Sequence, residues 1–282
     1  MPRIRLDQGA VDGLELHYTI AGRGPVTLLI HGLGGFAESW RYTAAALSAH
    51  CTVIAMDLPG FGQSGKPRRA YTLDFFAQAI DGLLRVLAVD RVRLIGHSLG
   101  GAIALAFALA HPRRVERLAL LGATVPGFPL SPSVLYRVML LPGIGELMAT
   151  CVTPAVCAAA LRRCLFAPDH AEIDFLVQHQ YAVRTTREGR AAYLGTLRGV
   201  RDDFTRRAPA YRAALAEWRR PTLVIHGLQD KVVPLRHAEE AARGIGQTQA
   251  RWLDRCGHFP QIEHPATVND WLAEFLLSPS QR

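Results

Sequence analysis

Gly96-His97-Ser98-Leu99-Gly100 decides how the chain is read, because it sets a serine between an apolar strand-like run and a helix-forming run. Upstream, Arg91-Val92-Arg93-Leu94-Ile95 alternates and then turns apolar, as a buried strand does. Downstream, residues 101–110 are rich in alanine and leucine and free of proline, which favours helix. So tight a turn between strand and helix strains the backbone of its central residue and crowds both flanks. Glycine two positions before and two after is then a steric requirement, and the serine is presented as a nucleophile.

Working outward, strand patterns are expected over 14–20, 26–30, 52–56, 91–95 and 115–121, with helices over 39–49 and from the capping residue Thr72 to about 87. The alternation lapses between 124 and 212, where seven prolines punctuate short helical stretches and no good strand run occurs. It resumes with a strand over 221–225, a helix over 235–243, a strand over 249–253 and a last helix through Trp271 to Leu277. Strands alternating with helices through short loops predict an α/β fold with a mostly parallel sheet covered on both faces. Residues 1–124 and 213–282 are expected to build that sheet, and 125–212 to form an inserted helical cap.

At 282 residues and 49% hydrophobic content the chain can bury a large core. Its net charge of +8 comes almost wholly from arginine, since Lys66 and Lys231 are the only lysines. The arginines lie in ones and twos with no aromatic interleaving, which predicts a solvated surface and no nucleic-acid partner. Cys51, Cys151, Cys157, Cys164 and Cys256 form an odd set without CxxC or Cys/His spacing, so neither a disulfide framework nor a zinc site is expected, and a cytoplasmic setting is. The N-terminus lacks the apolar segment of a secretory signal. The longest apolar stretch starts at Leu99 and is broken by His111-Pro112, so no stable membrane insertion is expected.

A serine hydroxyl is a weak nucleophile near neutral pH and needs a base within hydrogen-bond reach, itself oriented by a third group. Gly257-His258-Phe259-Pro260 lies between the last strand and the last helix, on the loop side where Ser98 emerges, which makes His258 the base. His264, beside Pro265, reads as helix entry, and His97 is expected to point off the other side of the turn. Asp230, directly after the strand at 221–225, is the orienting carboxylate; the alternative strand end, Gly122-Ala123-Thr124, carries none. Backbone N–H groups for an oxyanion are expected from Leu99, at the helix N-terminus, and from Leu33 in His31-Gly32-Leu33-Gly34-Gly35, with Gly34 as second choice. That loop matches neither GxGxxG nor GxxxxGK[ST], so no nucleotide site is expected.

The order Ser98, Asp230, His258, together with His31-Gly32, Asp57-Leu58-Pro59-Gly60-Phe61-Gly62-Gln63-Ser64, Gly96 to Gly100, Gly227 to Asp230 and Gly257-His258, resembles the α/β-hydrolase superfamily over essentially the whole chain. The resemblance implies a sheet of about eight strands, a helical lid after the sixth strand and no cofactor. In such proteins Asp57 would structure its loop, and Trp40 reads as core. Serine at position 98 excludes the epoxide hydrolases and haloalkane dehalogenases of this fold, which use aspartate there. The expected activity is a carboxylic ester hydrolase acting through an acyl-enzyme on small to medium esters. The alternatives are a hydrolase cleaving carbon–carbon bonds in ring-fission products, with whose pattern Phe259-Pro260-Gln261 half agrees, or a ligand receptor of the same fold. Phe128, Met139, Leu140 and Phe166 are the expected substrate-pocket residues. The apolar run 134–141 also suits a lipid interface, but Pro142-Gly143 cuts it short.

Overall fold

A computed structural model describes residues 2–128, 134–167 and 169–278; residues 129–133 and 168 of the expected insert lie outside them. Eight strands form one sheet: β1 (Arg3–Arg5), β2 (Glu15–Ala21), β3 (Val26–Ile30), β4 (Thr52–Met56), β5 (Val92–His97), β6 (Val115–Leu121), β7 (Thr222–Gly227) and β8 (Thr248–Leu253). Their order is β1-β2-β4-β3-β5-β6-β7-β8, antiparallel at β1/β2 and β2/β4 and parallel from β4 onward. The three-residue β1 was not legible beforehand: Arg-Ile-Arg is too short to show a period, and its charges suit a sheet edge.

The helices are α1 (Arg41–Leu47), α2 (Leu73–Val86), α3 (Leu99–Ala110), α4 (Val134–Met139), α5 (Ile144–Thr150), α6 (Pro154–Cys164), α7 (His170–Arg184), α8 (Arg187–Gly199), α9 (Ala208–Ala216), α10 (Leu235–Gly244), α11 (Pro260–Glu263) and α12 (Pro265–Leu277). Thr72 caps α2 as expected, its hydroxyl accepting the Phe75 N–H at 3.1 Å. The helix expected over 39–49 starts instead as a 3-10 turn, Ala37–Trp40, because Asp57 Oδ1 takes the Ala37 N–H at 2.7 Å and fixes the entry.

Two cores follow from the two-residue period of the strands. Leu28, Leu94, Leu118 and Val224 face a cluster with Phe76 of α2, Ile103 and Phe107 of α3, and Ala241 of α10. Their neighbours Leu29, Ile95, Ala119 and Leu223 face the opposite cluster, with Trp40, Leu47 of α1, and Val268 and Leu272 of α12. Strands covered on both faces are mostly apolar, which is why 26–30 and 223–225 read as near-continuous runs.

Sheet order places the candidate site. β4 lies on one side of β3 and β5 on the other, so the loops leaving β3 and β5 open side by side at the carboxyl ends of the strands, where this topology makes a crevice. Helices α4 to α8 all arise between β6 and β7 and reach back over that edge: Tyr193 of α8 meets Gly34, and Ala192 meets Gly60. Helix α9 begins before residue 212 and buries Tyr211 and Leu215 in the sheet's core, so it packs as a crossover helix of the sheet. Among the described residues no single helix is long and apolar enough to cross a membrane.

Candidate active site

Ser98 stands at φ 55°, ψ −123° between β5 and α3, a left-handed conformation that a serine adopts only when its surroundings impose it. Here they do. A Cβ on Gly96 would lie 2.4 Å from the carbonyl oxygen of Gly100, and one on Gly100 would lie 2.2 Å from that of Ile30. The Ser98 N–H donates to Leu121 O at 3.0 Å, and its carbonyl accepts the Thr124 N–H at 3.1 Å, tying the turn to the end of β6.

The three residues expected to act together are brought together. Ser98 Oγ donates to His258 Nε2 at 2.9 Å, and His258 Nδ1 donates to Asp230 Oδ2 at 2.8 Å. Asp230 hangs from the loop after β7, where its other oxygen accepts the Val232 and Val233 N–H groups at 2.7 and 2.9 Å. Burial pushes the Asp230 carboxyl up, but the charge and hydrogen bond of His258, with His226 and the Val233 N–H, outweigh it and hold the carboxyl below its ordinary range. A Cβ at Gly122 would come within 3.4 Å of His258 Nδ1 and 3.6 Å of Asp230 Oδ2. What keeps a glycine at that strand end is its φ of 50° and the His258 carbonyl oxygen, 2.8 Å from where a Cβ would stand.

The oxyanion loop is built from a buried histidine. His31 Nδ1 donates to Gly32 O at 2.7 Å, and its Nε2 accepts the Leu58 N–H at 3.0 Å, so it is a neutral ring that burial keeps below its usual pKa. Gly32 lies so close to Ser98 that a Cβ there would sit 2.8 Å from the serine Cβ. Leu33 follows directly, and its N–H has no acceptor among the described residues. Leu99 opens α3, where a first-turn N–H has no carbonyl four residues back inside the helix. Gly34, at φ 72°, faces Tyr193 and Gln180. Asp57 stands apart, accepting from His17 Nδ1 and from the N–H groups of Ala37 and Gln63, and so organises its loop.

Three groups around His258 escaped the sequence. His97 does not point away: its Nε2 donates to the carbonyl oxygen of His258 at 2.8 Å, and its ring lies 4.7 Å from that of Phe259. Complete burial, helped by His258, holds His97 down to about 3, so it is a neutral donor of fixed tautomer. On the other side of the same residue, the His258 N–H donates to Cys164 O at the end of α6, at 2.7 Å. Glu263 accepts the N–H groups of Phe166 at 2.6 Å, Gly257 at 3.0 Å and Phe259 at 3.1 Å, and its burial raises its carboxyl despite those bonds. The signal for Glu263 was its spacing, five residues after His258 at the end of a one-turn helix; the signal for His97 was its burial against an apolar strand.

The expected pocket residues separate. Met139 and Leu140 pack with Leu194 and Leu197 of α8 and with Leu33 itself. Phe128 is not brought to Ser98: its ring lies against Gly244, at the far end of α10 from the Asp230 loop, beside Arg212. Phe166 flanks the His258 loop through its backbone, while its ring is half exposed against Arg255. Residues not foreseen line a cavity of about 10 Å³ beside the oxyanion loop: Gly34, Gly35, Phe61, Gln180, Arg184 and Tyr193. That is room for about one water. The Arg184 guanidinium stacks 4.2 Å over Tyr193 and has no carboxylate partner among the described residues.

The sequence and fold are similar to those of known proteins. The family model described as the alpha/beta hydrolase family matches residues 27–271. The chain belongs to the alpha/beta hydrolase family. Its eight-stranded, mostly parallel sheet flanked by helices is the fold of that family. Over 282 aligned residues the sequence is similar to the 2-hydroxy-6-oxo-6-(2'-aminophenyl)hexa-2,4-dienoic acid hydrolase of Metapseudomonas resinovorans, at 31% identity, covering 94% of this chain and 88% of that protein. Among solved structures, a thermophilic esterase from Thermogutta terrifontis superposes with a TM-score of 0.82 at 27% identity, covering 98% of both chains. A meta-cleavage product hydrolase from Pseudomonas fluorescens IP01 gives 0.77 at 27% identity over 94% of both.

Proposed function

We propose that this alpha/beta hydrolase cleaves carboxylic esters through an acyl-enzyme on Ser98. The observation that carries the reading is the continuous relay from Ser98 Oγ through His258 to Asp230, at 2.9 and 2.8 Å. Ser98 Oγ attacks the ester carbonyl carbon while His258 Nε2 takes its proton, and the developing oxyanion meets the Leu33 and Leu99 N–H groups. Collapse breaks the bond to the alcohol, which leaves with the proton from Nε2. Water then attacks the acyl carbon, His258 taking its proton and returning it to Ser98 as the acid departs. Asp230 stays ionised and holds the Nδ1–H tautomer throughout. Similarity to the Thermogutta esterase supports esters as substrates.

Carbon–carbon hydrolysis of ring-fission acids is the second reading. It is favoured by the dienoic acid substrate in the name of the Metapseudomonas relative, and by Arg184, an unpaired cation in the cavity that suits a carboxylate. One panel separates the two: aryl esters of graded acyl length, a thioester, a lactone and a vinylogous 1,5-diketone acid, each with wild type and Ser98→Ala. Turnover of the esters, abolished in a folded Ser98→Ala protein, is expected. An unaltered ester rate in that variant sinks the mechanism. Turnover of the diketone acid alone moves the assignment to carbon–carbon cleavage, and stoichiometric organophosphate labelling without turnover of anything points to a receptor.

A further inference from the structure

A groove of about 320 Å³ opens between the loop that follows β4 and the first two turns of α8, and none of its lining residues belongs to the Ser98 relay. A space of that size takes a small molecule. Its walls carry mostly one sign of charge: Lys66, Arg68 and Arg69 line it from the loop and Arg187 from α8, against a single acid, Glu188. Arg68, Arg69 and Arg187 are exposed and have no carboxylate partner among the described residues, although Arg69 also rests over the Phe75 ring. Asp57, whose charge Lys66 feels, does not line the groove. It is fully buried and taken up by His17 and by the N–H groups of Ala37 and Gln63.

Both walls are held in place. Lys66 Nζ donates to Gly62 O at 2.9 Å and to Ser64 O at 3.0 Å, which spends two of the three ammonium N–H groups and leaves the third for a ligand. The buried Tyr71 donates its hydroxyl proton to Pro67 O at 2.9 Å and so pins the segment that carries Arg68 and Arg69. Gly60 is clasped between the two sides, since a Cβ there would lie 2.7 Å from the Tyr71 ring and 2.8 Å from the Ala192 methyl. On α8, Thr186 accepts the Gly189 N–H at 3.0 Å and fixes the first turn, from which Arg187 projects. The positive end of that helix adds its partial charge to the same wall.

We propose that this groove is a binding site for a small, multiply charged phosphate anion of the diphosphate class, held by Arg68 and Arg69 on one side, Arg187 on the other and Lys66 beneath. A guanidinium fork pairs with two oxygens of one oxyanion, so three forks and an ammonium around one space call for an anion with many oxygens and more than one charge. A single carboxylate fills one fork. A phosphate monoester carries about −1.5 to −2 at pH 7, and a diphosphate more, with oxygens directed to every side. The site is distinct from the cavity beside the oxyanion loop. Arg184 lines that cavity, whereas Arg187, three positions later on the next helix, lines the groove. A ligand bridging Arg68 and Arg187 would tie α8 to the loop after β4.

The test is titration calorimetry of the full-length protein with inorganic pyrophosphate, at low salt and with EDTA present, beside thermal melts. Saturable one-to-one binding is expected, with a Tm that rises as pyrophosphate is added. The Arg68→Ala/Arg187→Ala variant should lose about tenfold or more in affinity while its ligand-free Tm stays that of the wild type. Arg162→Ala/Arg163→Ala removes the same charge from α6, outside the groove, and should bind as the wild type does. An equal loss there would reduce the effect to net charge and overturn the site. Arg184→Met should also bind normally; a loss in that variant would put the anion beside the oxyanion loop and overturn it too. So would no saturable binding by the wild type, unchanged affinity in Arg68→Ala/Arg187→Ala, or equally tight binding of citrate. Ser98→Ala should bind pyrophosphate undiminished, so this site and the proposed ester chemistry stand or fall separately.

Discussion

The carbonyl oxygen of Cys164 accepts the backbone N–H of His258 at 2.7 Å, so the last residue of an inserted helix holds the peptide of the residue that bonds Ser98. Glu263 doubles the connection by accepting the N–H groups of Phe166 on one side of it and of Gly257 and Phe259 on the other. Glu263→Gln puts an amide NH₂ where one carboxylate oxygen accepts, and is expected to lower kcat about tenfold with little change in KM. Steady-state kinetics beside a thermal melt check it: a fall in Tm with unchanged kcat would make Glu263 merely structural.

His97 stays neutral in the folded protein down to about pH 3, whereas an unfolded histidine charges near pH 6.5. Between those values the unfolded chain binds the extra proton, so stability is fully present above about 6.5 and drains away as pH falls toward 3, by several kcal/mol. His97→Asn retains a donor for His258 O and removes the titration. Urea melts across this range should show a flatter acid limb for the variant, and an identical slope would refute the assignment.

Asp230→Asn replaces the acceptor of the His258 Nδ1–H with a group that can present a donor, which favours the wrong imidazole tautomer. A fall in kcat of about ten-thousand-fold is expected on whichever substrate the wild type turns over. A loss under tenfold would remove Asp230 from the relay.

Gly100→Ala places a methyl group 2.2 Å from Ile30 O and 2.6 Å from His31 O, both backbone atoms with nowhere to move. Destabilisation of about 3 kcal/mol or more is expected from chemical denaturation. Gly143→Ala is the control: it meets nothing within 4 Å, but at φ 79° it bears backbone strain alone, about 1 kcal/mol.

Arg184→Met keeps the length of the side chain and its apolar contact with Tyr193 but removes the unpaired charge. If acidic substrates are turned over, their kcat/KM should drop about tenfold or more while neutral aryl esters are unaffected. Equal losses on both would show that Arg184 acts by packing alone.

Much of the sheet was legible because a strand buried on both faces is mostly apolar, as Val26–Ile30 with its single threonine and the Leu223-Val224-Ile225 centre of β7 are. The grouping of Ser98, Asp230 and His258 was legible because each directly follows a recognisable strand and all three strands end at one edge. What surrounds them was not. Cys164 contributes a carbonyl, which any residue possesses, and it meets His258 across more than ninety positions of sequence, so no residue pattern marks it. Glu263 and His97 likewise act on backbone atoms of the His258 loop. Phe128 misled for a related reason: aromatic character says that a ring will be buried, not which end of α10 will bury it.

β6 and β7 are neighbours in the sheet, and the Gly122 N–H still donates to Ile225 O at 2.9 Å where the chain leaves β6. The excursion through α4 to α8 leaves and rejoins the core where Gly127 meets Ala208 and Arg212 at the start of α9, and removing or replacing it would break no rung of the ladder. In engineering terms it is a cassette. A transplanted cassette would nevertheless have to offer a carbonyl where Cys164 stands. Without one, the hybrid would inherit a new selectivity together with a loosened histidine.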